Sequence, residues 1–142
     1  MSAIAAPRPS RTPAAHRSAA PGVLGKIADR RRADIAAELA GRSLREIERG
    51  ARAAPPPRDG TAPLLRPGLH VIAEVKRRSP SADEIAAPGE DLVARARAYA
   101  AGGAAAVSVL VEPHWFSGSI RDLAAVRAAV AVPVLAKEFV VD

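Results

Sequence analysis

Between Val23 and Leu39, the apolar residues Leu24, Ile27, Ala28, Ile35 and Leu39 recur at helical spacing, and Gly41 closes the run. Ser43 stands three residues before Glu46, a capping-box spacing that opens a second helix over Leu44, Ile47 and Ala51. Pro55-Pro56-Pro57 ends that helix, and Asp59-Gly60 and Pro67-Gly68 mark turns before the next element. The period then changes. Leu69 begins an apolar run that reads as a strand, carries Glu74 and Lys76 at its end, and is stopped by Pro80.

Alternation follows. Residues 90–101 form a helical pattern in which Leu92, Val93, Ala96 and Tyr99 make an apolar stripe, stopped by Gly102-Gly103. Ala105 to Val111 is continuously apolar, the mark of a strand covered on both faces. Ser119 caps a further helix reaching Val130, with Asp122 at its third position. A last strand spans Val132 to Val141, interrupted by Lys137 and Glu138. Apolar strands separated by helices predict a parallel sheet with right-handed crossovers, an α/β fold. The expected organisation is a disordered tail over 1–22, a helical extension over 23–54, a linker over 55–68 and an α/β unit over 69–142. Three strands with two covering helices leave a hydrophobic edge open, so a partner chain or further strands are expected to complete the sheet.

Charge refines this picture. The net charge of +6 lies wholly in residues 1–53, with 11 Lys/Arg against 5 Asp/Glu, whereas residues 54–142 hold 10 of each. Residues 1–22 are rich in Ala, Pro, Ser and Arg, and the first acidic residue is Asp29. An acid-free stretch of that kind also resembles an organellar transit peptide, but its prolines work against an amphipathic helix. Arg30-Arg31-Arg32 reads as a solvated helix face. Neither a reader helix nor stacking aromatics accompany the basic residues, since aromatics are 3% of the chain, so nucleic acid is not an expected partner. No apolar run reaches membrane-spanning length. Cysteine is absent, and His16, His70 and His114 lack zinc-ligand spacing, so no metal site is expected.

Candidate chemistry lies at the strand ends. In a strand, residues i and i+2 share a face, which places the Glu74 carboxylate beside the Lys76 ammonium. Glu112 follows the second strand, and Lys137 with Glu138 ends the third. Charges at the C-terminal ends of parallel strands are where barrel enzymes keep their reactive groups. They are costly there unless satisfied or used.

Several segments, read in order, resemble indole-3-glycerol-phosphate synthase. They are Ile72-Ala-Glu-Val-Lys-Arg-Arg-Ser-Pro-Ser81, Tyr99-Ala-Ala-Gly-Gly-Ala104, Val107-Ser-Val-Leu-Val-Glu112, Phe116-Ser-Gly-Ser119 and Pro133-Val-Leu-Ala-Lys-Glu-Phe-Val-Val-Asp142. The resemblance implies a partial (β/α)8 TIM barrel, its first three βα units preceded by the family's N-terminal helical extension and cut short after the third strand. It implies a cytoplasmic carboxy-lyase of tryptophan biosynthesis. The family closes an indole ring from 1-(2-carboxyphenylamino)-1-deoxyribulose 5-phosphate, releasing carbon dioxide and water with neither metal nor organic cofactor. Lys137 resembles the general acid that protonates the ribulose carbonyl. Lys76 resembles the lysine that engages the substrate carboxylate and assists dehydration, and Glu74 the carboxylate that orients the pair. Ser79, Ser81, Phe116 and Phe139 fall at positions expected to contact substrate, the two phenylalanines lining the pocket for the aromatic ring. The expected partners are a phosphorylated small molecule and, for a piece of a barrel, a complementing barrel fragment or a neighbouring tryptophan-pathway enzyme.

The chain departs from the family pattern in places. Ala82-Asp83 stands where Lys-Gly is usual, Glu138 where aspartate is commoner, Val111 where threonine is common, and Ser117 where glycine is common. The family's later glutamate base, its asparagine and its phosphate-binding loops have no counterpart in the sequence. The expectation is therefore a fragment inactive on its own, with a non-catalytic half-barrel partner subunit as the alternative.

Overall fold

The computed structural model describes residues 22–81, 85 and 89–141. In chain order the elements are α1 (Val23–Glu38), α2 (Leu44–Ala53), a single 3-10 turn (Ala62–Leu65), β1 (Ile72–Val75), α3 (Leu92–Ala101), β2 (Ala106–Leu110), α4 (Ile120–Ala129) and β3 (Val134–Lys137). The strands form one parallel sheet in the order β1-β2-β3. The expected tail lies outside the described residues except for Gly22, as do Ala82 and Asp83.

β2 is buried at all five positions. Val107, Val109 and the following Val111 point to the helix side, where they pack with Val75 of β1, Leu92 and Ala96 of α3, and Val126 and Val130 of α4 and its cap. Val93, Tyr99 and Leu123 pack against this cluster, so the stripe read from 90–101 is the face that α3 presents to the sheet. Each fully buried valine contributes about 1.5 kcal/mol or more relative to exposure. On the opposite face the flanking strands are open, with Ile72 48% exposed and Leu135 51%, while Ser108 and Leu110 of β2 stay buried.

Local signals set the helix starts. Ser43 accepts a hydrogen bond from the Glu46 amide while Glu46 accepts from the Ser43 amide, completing the capping box of α2. Ser119 caps α4 by accepting from the Asp122 amide at 3.1 Å. Asp91 caps α3 through the Val93 amide, so that helix begins two residues later than the pattern suggested.

β1 and β3 are shorter than their apolar runs. The turn ahead of β1 leaves Leu69 94% exposed, and pairing begins where the Val71 carbonyl accepts the Ala105 amide at 2.9 Å. At the other end, the Lys137 carbonyl accepts the Val111 amide at 3.1 Å, and the Phe139 amide then donates to the side chain of Glu138. A backbone donor satisfied locally cannot extend the ladder.

The linker is tied down by Arg58. Its guanidinium donates to the carbonyls of Val130 (2.7 Å), Val132 (3.0 Å) and Arg127 (2.8 Å), closing the C-terminal end of α4. Arg127 donates in return to the Pro56 carbonyl at 3.2 Å.

α1 corrects one expectation. Of its apolar positions only Ile27 is buried, while Leu24 and Leu39 are exposed. Arg31, read as part of a solvated face, is instead only 11% exposed. Its guanidinium lies 3.5 Å from Glu38 and 3.6 Å from Glu138, just beyond β3. Arg30 and Asp34 meet His114 in the loop after β2, with Asp34 2.9 Å from its Nε2. The helix is thus held by polar contacts to the sheet's C-terminal rim. α2 has no buried residue.

Candidate active site

Register fixes which side chains share the open face. Glu74 pairs with Ser108, which pairs with Leu135, and one step further Leu110 pairs with Lys137. Residues in such rows point the same way, so Glu74 and Lys137 project from the same face near the same ends of their strands. Lys76, two residues after Glu74, joins them.

The three groups meet. Lys76 Nζ donates to Glu74 Oε1 at 2.7 Å, and Lys137 Nζ donates to Glu74 Oε2 at 2.6 Å across 63 residues of chain. One carboxylate therefore bridges two ammonium groups, leaving the node with one net positive charge. Partial burial pushes the Glu74 carboxyl up, but the hydrogen bonds and charges of Lys137 and Lys76 outweigh it and hold the group below the usual carboxylate range. Lys137 is the most open member, its side chain 54% exposed.

Glu112 does not join this node, although its position after β2 matched the other strand-end charges. It is fully buried, and its carboxylate accepts the backbone amides of His114 (2.9 Å), Trp115 (2.7 Å) and Phe116 (3.1 Å). Its carbonyl accepts the Gly118 amide at 2.9 Å, closing the loop. Ser117 sits at φ 52°, in the left-handed region, which accounts for glycine suiting that position. Gly118 passes so close to β2 that a Cβ would overlap the Leu110 carbonyl and the Val111 Cα.

Phe116, from this loop, and Phe139, beyond β3, are brought together with ring centroids 6.1 Å apart and planes tilted by 33°. The hydroxyls of Ser79 and Ser81 lie 3.2 Å apart after β1. No hydrogen bond joins either serine to Glu74, Lys76 or Lys137 among the described residues.

Arg77, next to Lys76, grips the first turn of α4. Its two Nη atoms donate to the two carboxylate oxygens of Asp122 at 2.6 and 2.9 Å. That pairing is the main reason the Asp122 carboxyl lies low, against opposing burial and with help from Ser119. Sequence reasoning placed Asp122 in a cap but did not find this partner, and it missed Arg58 entirely. Neither contact leaves a local spacing signal. Among the described residues no cluster of three or more His, Asp or Glu could hold a metal ion, and no helix is long and apolar enough to cross a membrane.

The chain is similar to known proteins across most of its length. The family model described as indole-3-glycerol phosphate synthase matches residues 24–142. The indole-3-glycerol phosphate synthase of Mycobacterium avium (strain 104) is 56% identical over 120 residues, covering 84% of this chain and 44% of the relative. That of Mycobacterium ulcerans (strain Agy99) is 54% identical over the same coverage. The Mycolicibacterium smegmatis protein of the same name is 53% identical over 119 residues, 84% of this chain and 43% of the relative. The chain thus spans less than half the length of these curated relatives. With a match of this extent and identity, it belongs to the indole-3-glycerol phosphate synthase family.

Proposed function

We propose that this chain supplies the amino-terminal part of an indole-3-glycerol-phosphate synthase active site, as the first three βα units of a (β/α)8 barrel preceded by the helical extension α1–α2. The observation that carries the reading is the bridging of Lys76 and Lys137 by Glu74 at the C-terminal ends of parallel strands. In the reaction, 1-(2-carboxyphenylamino)-1-deoxyribulose 5-phosphate loses carbon dioxide and water as the indole ring closes. Lys137 protonates the ribulose carbonyl oxygen as the aromatic carbon attacks, so that no free alkoxide has to form. Lys76 binds the substrate carboxylate and assists the later dehydration. Glu74 orients both lysines through the two hydrogen bonds it accepts. The node's single net positive charge suits an anionic substrate.

Phe116 and Phe139 flank the aromatic ring, and Ser79 and Ser81 contact the polar part of the substrate. The reaction is cytoplasmic and needs no cofactor. The 142 residues alone are inactive in this reading, because the remaining length of the relatives carries the other substrate contacts. Turnover by exhaustively purified chain that disappears in Lys137→Ala would overturn that part.

The principal test is a chimera in which residues 24–142 replace the matching segment of the Mycobacterium avium relative. It should form indoleglycerol phosphate, followed by fluorescence, and Lys137→Ala should lower kcat by about 10²- to 10⁴-fold. A chimera equally active with and without Lys137 sinks the assignment.

A second reading, a non-catalytic half-barrel that docks with a partner, draws on the exposed Ile72 and Leu135 of the open face. Size-exclusion chromatography and hydrogen exchange separate the two. A self-sufficient module is compact and protected as an isolated chain.

A further inference from the structure

Glu112 is a buried carboxylate that the proposed reaction does not use. An ionised side chain taken out of water is costly unless its oxygens are satisfied, and here they are satisfied by the loop itself. The amides of His114, Trp115 and Phe116 converge on it at 2.7 to 3.1 Å. Successive backbone N–H groups turned inward make an anion-binding concavity, and in this chain the anion is the residue that opens the loop. Three further contacts fix the loop's frame. The Glu112 carbonyl accepts the Gly118 amide, Gly118 lies against Leu110, and His114 is held from outside by Asp34 of α1.

The geometry points to Glu112 as a positioning residue for Phe116, setting the ring's height and tilt against Phe139 and so the shape of the aromatic wall offered to a planar aromatic acid. The amide that Glu112 holds at 3.1 Å is Phe116's own, and that ring's partner is Phe139 at 6.1 Å. Phe139 follows Lys137 by two residues, just beyond the end of β3. The inference rests on the reading of Phe116 and Phe139 as flanks of the substrate's ring, and goes beyond it by naming what sets the two rings against each other. In Glu112→Gln the volume is kept, but an NH2 group is set against at least one inward-pointing amide, leaving donor facing donor.

The test is NMR on the isotope-labelled chimera in which residues 24–142 replace the matching segment of the Mycobacterium avium relative, these residues unchanged in what is called the wild-type chain, with 2-(methylamino)benzoate as the aromatic probe. In the wild-type chain the Trp115 and Phe116 amides should exchange about 100-fold more slowly than unprotected loop amides. Phe116 and Phe139 ring protons should show cross-relaxation, and the probe should shift both rings. Fast exchange at both amides overturns the inference without any variant. In Glu112→Gln, with β2 amide shifts unchanged as a check on folding, the ring–ring cross-peaks should vanish and probe affinity should fall about fivefold or more. Cross-peaks that persist, or cross-peaks lost with unchanged affinity, overturn it. A wild-type chain that leaves the probe unbound refutes the reading of the two phenylalanines as flanks of an aromatic ligand, and any service of Glu112 to a ligand goes with it. Protected amides and ring contacts in that same chain tell this failure apart from a failure of the loop geometry.

Discussion

Arg77 and Asp122, 45 residues apart, form a two-pronged ion pair at 2.6 and 2.9 Å that fastens the segment after β1 to the first turn of α4. Asp122 accepts from Ser119 as well, so one carboxylate serves both a helix start and a long-range tie. Asp122→Asn should destabilise the chain by about 1 to 2 kcal/mol at pH 7, after allowing for screening at the partly exposed guanidinium. The folded carboxyl titrates below its ordinary position near 3.8. Its contribution is therefore complete above that value and is lost as pH falls through the lower, folded one. Urea denaturation of both proteins should show the gap closing on acidification, and a gap that widens in acid contradicts the pairing.

The same reasoning applies more weakly to Glu74, because its partner Lys137 is largely exposed. Glu74→Gln should lower stability by about 0.5 to 1 kcal/mol at neutral pH. The difference should shrink as pH drops below the ordinary glutamate position of 4.5 and through the depressed folded value. In the chimera it should also lower kcat more than it raises KM, since the loss falls on the orientation of the acid. A pure KM effect would point to binding alone.

Arg58 closes three carbonyls at the end of α4. Arg58→Ala should cost about 1 to 3 kcal/mol by leaving those half-buried acceptors without a donor. Arg58→Lys should recover less than half of that, because a point charge cannot reproduce the planar fork. Thermal or urea unfolding of the two variants measures both numbers.

Ser117 and Gly118 make opposite demands. Ser117→Gly should raise stability by about 0.5 to 1 kcal/mol by relieving a left-handed backbone. Gly118→Ala should lower it by about 3 kcal/mol, since backbone atoms of Leu110 and Val111 occupy the space. A rise in Tm for the first and a fall for the second is the expected pair of results.

Much of the fold was legible because its causes are local. The capping serines 43 and 119, the stripe Leu92–Val93–Ala96–Tyr99 and the unbroken run through β2 each follow from spacing alone. The pairing of Glu74 with Lys76 was legible for the same reason, two residues on one strand face. Glu112 was not, because a charge following a strand looks alike whether it faces the open rim or folds beneath its own loop. The difference lies in the dihedral angles of residues 113–117, which sequence period does not set. Arg31, Arg58 and the Arg77–Asp122 tie depend on which distant segments pack together, and arginine on a helix or linker gives no hint of its partner. β3 stops short of its apolar run because the Phe139 donor turns to the Glu138 side chain, and β1 starts late because pairing begins only at the Val71 carbonyl, neither of which an apolar run encodes.

The shared carboxylate has a bearing on proton traffic. With two cations on one anion, either amine can release its proton and the other still neutralises Glu74. The trio passes from charge plus one to zero without stranding a bare negative group. A single ion pair in the same place would be left with an uncompensated carboxylate after the first transfer. In the proposed reaction, a proton can therefore be given from either the first or the third strand while Glu74 stays paired.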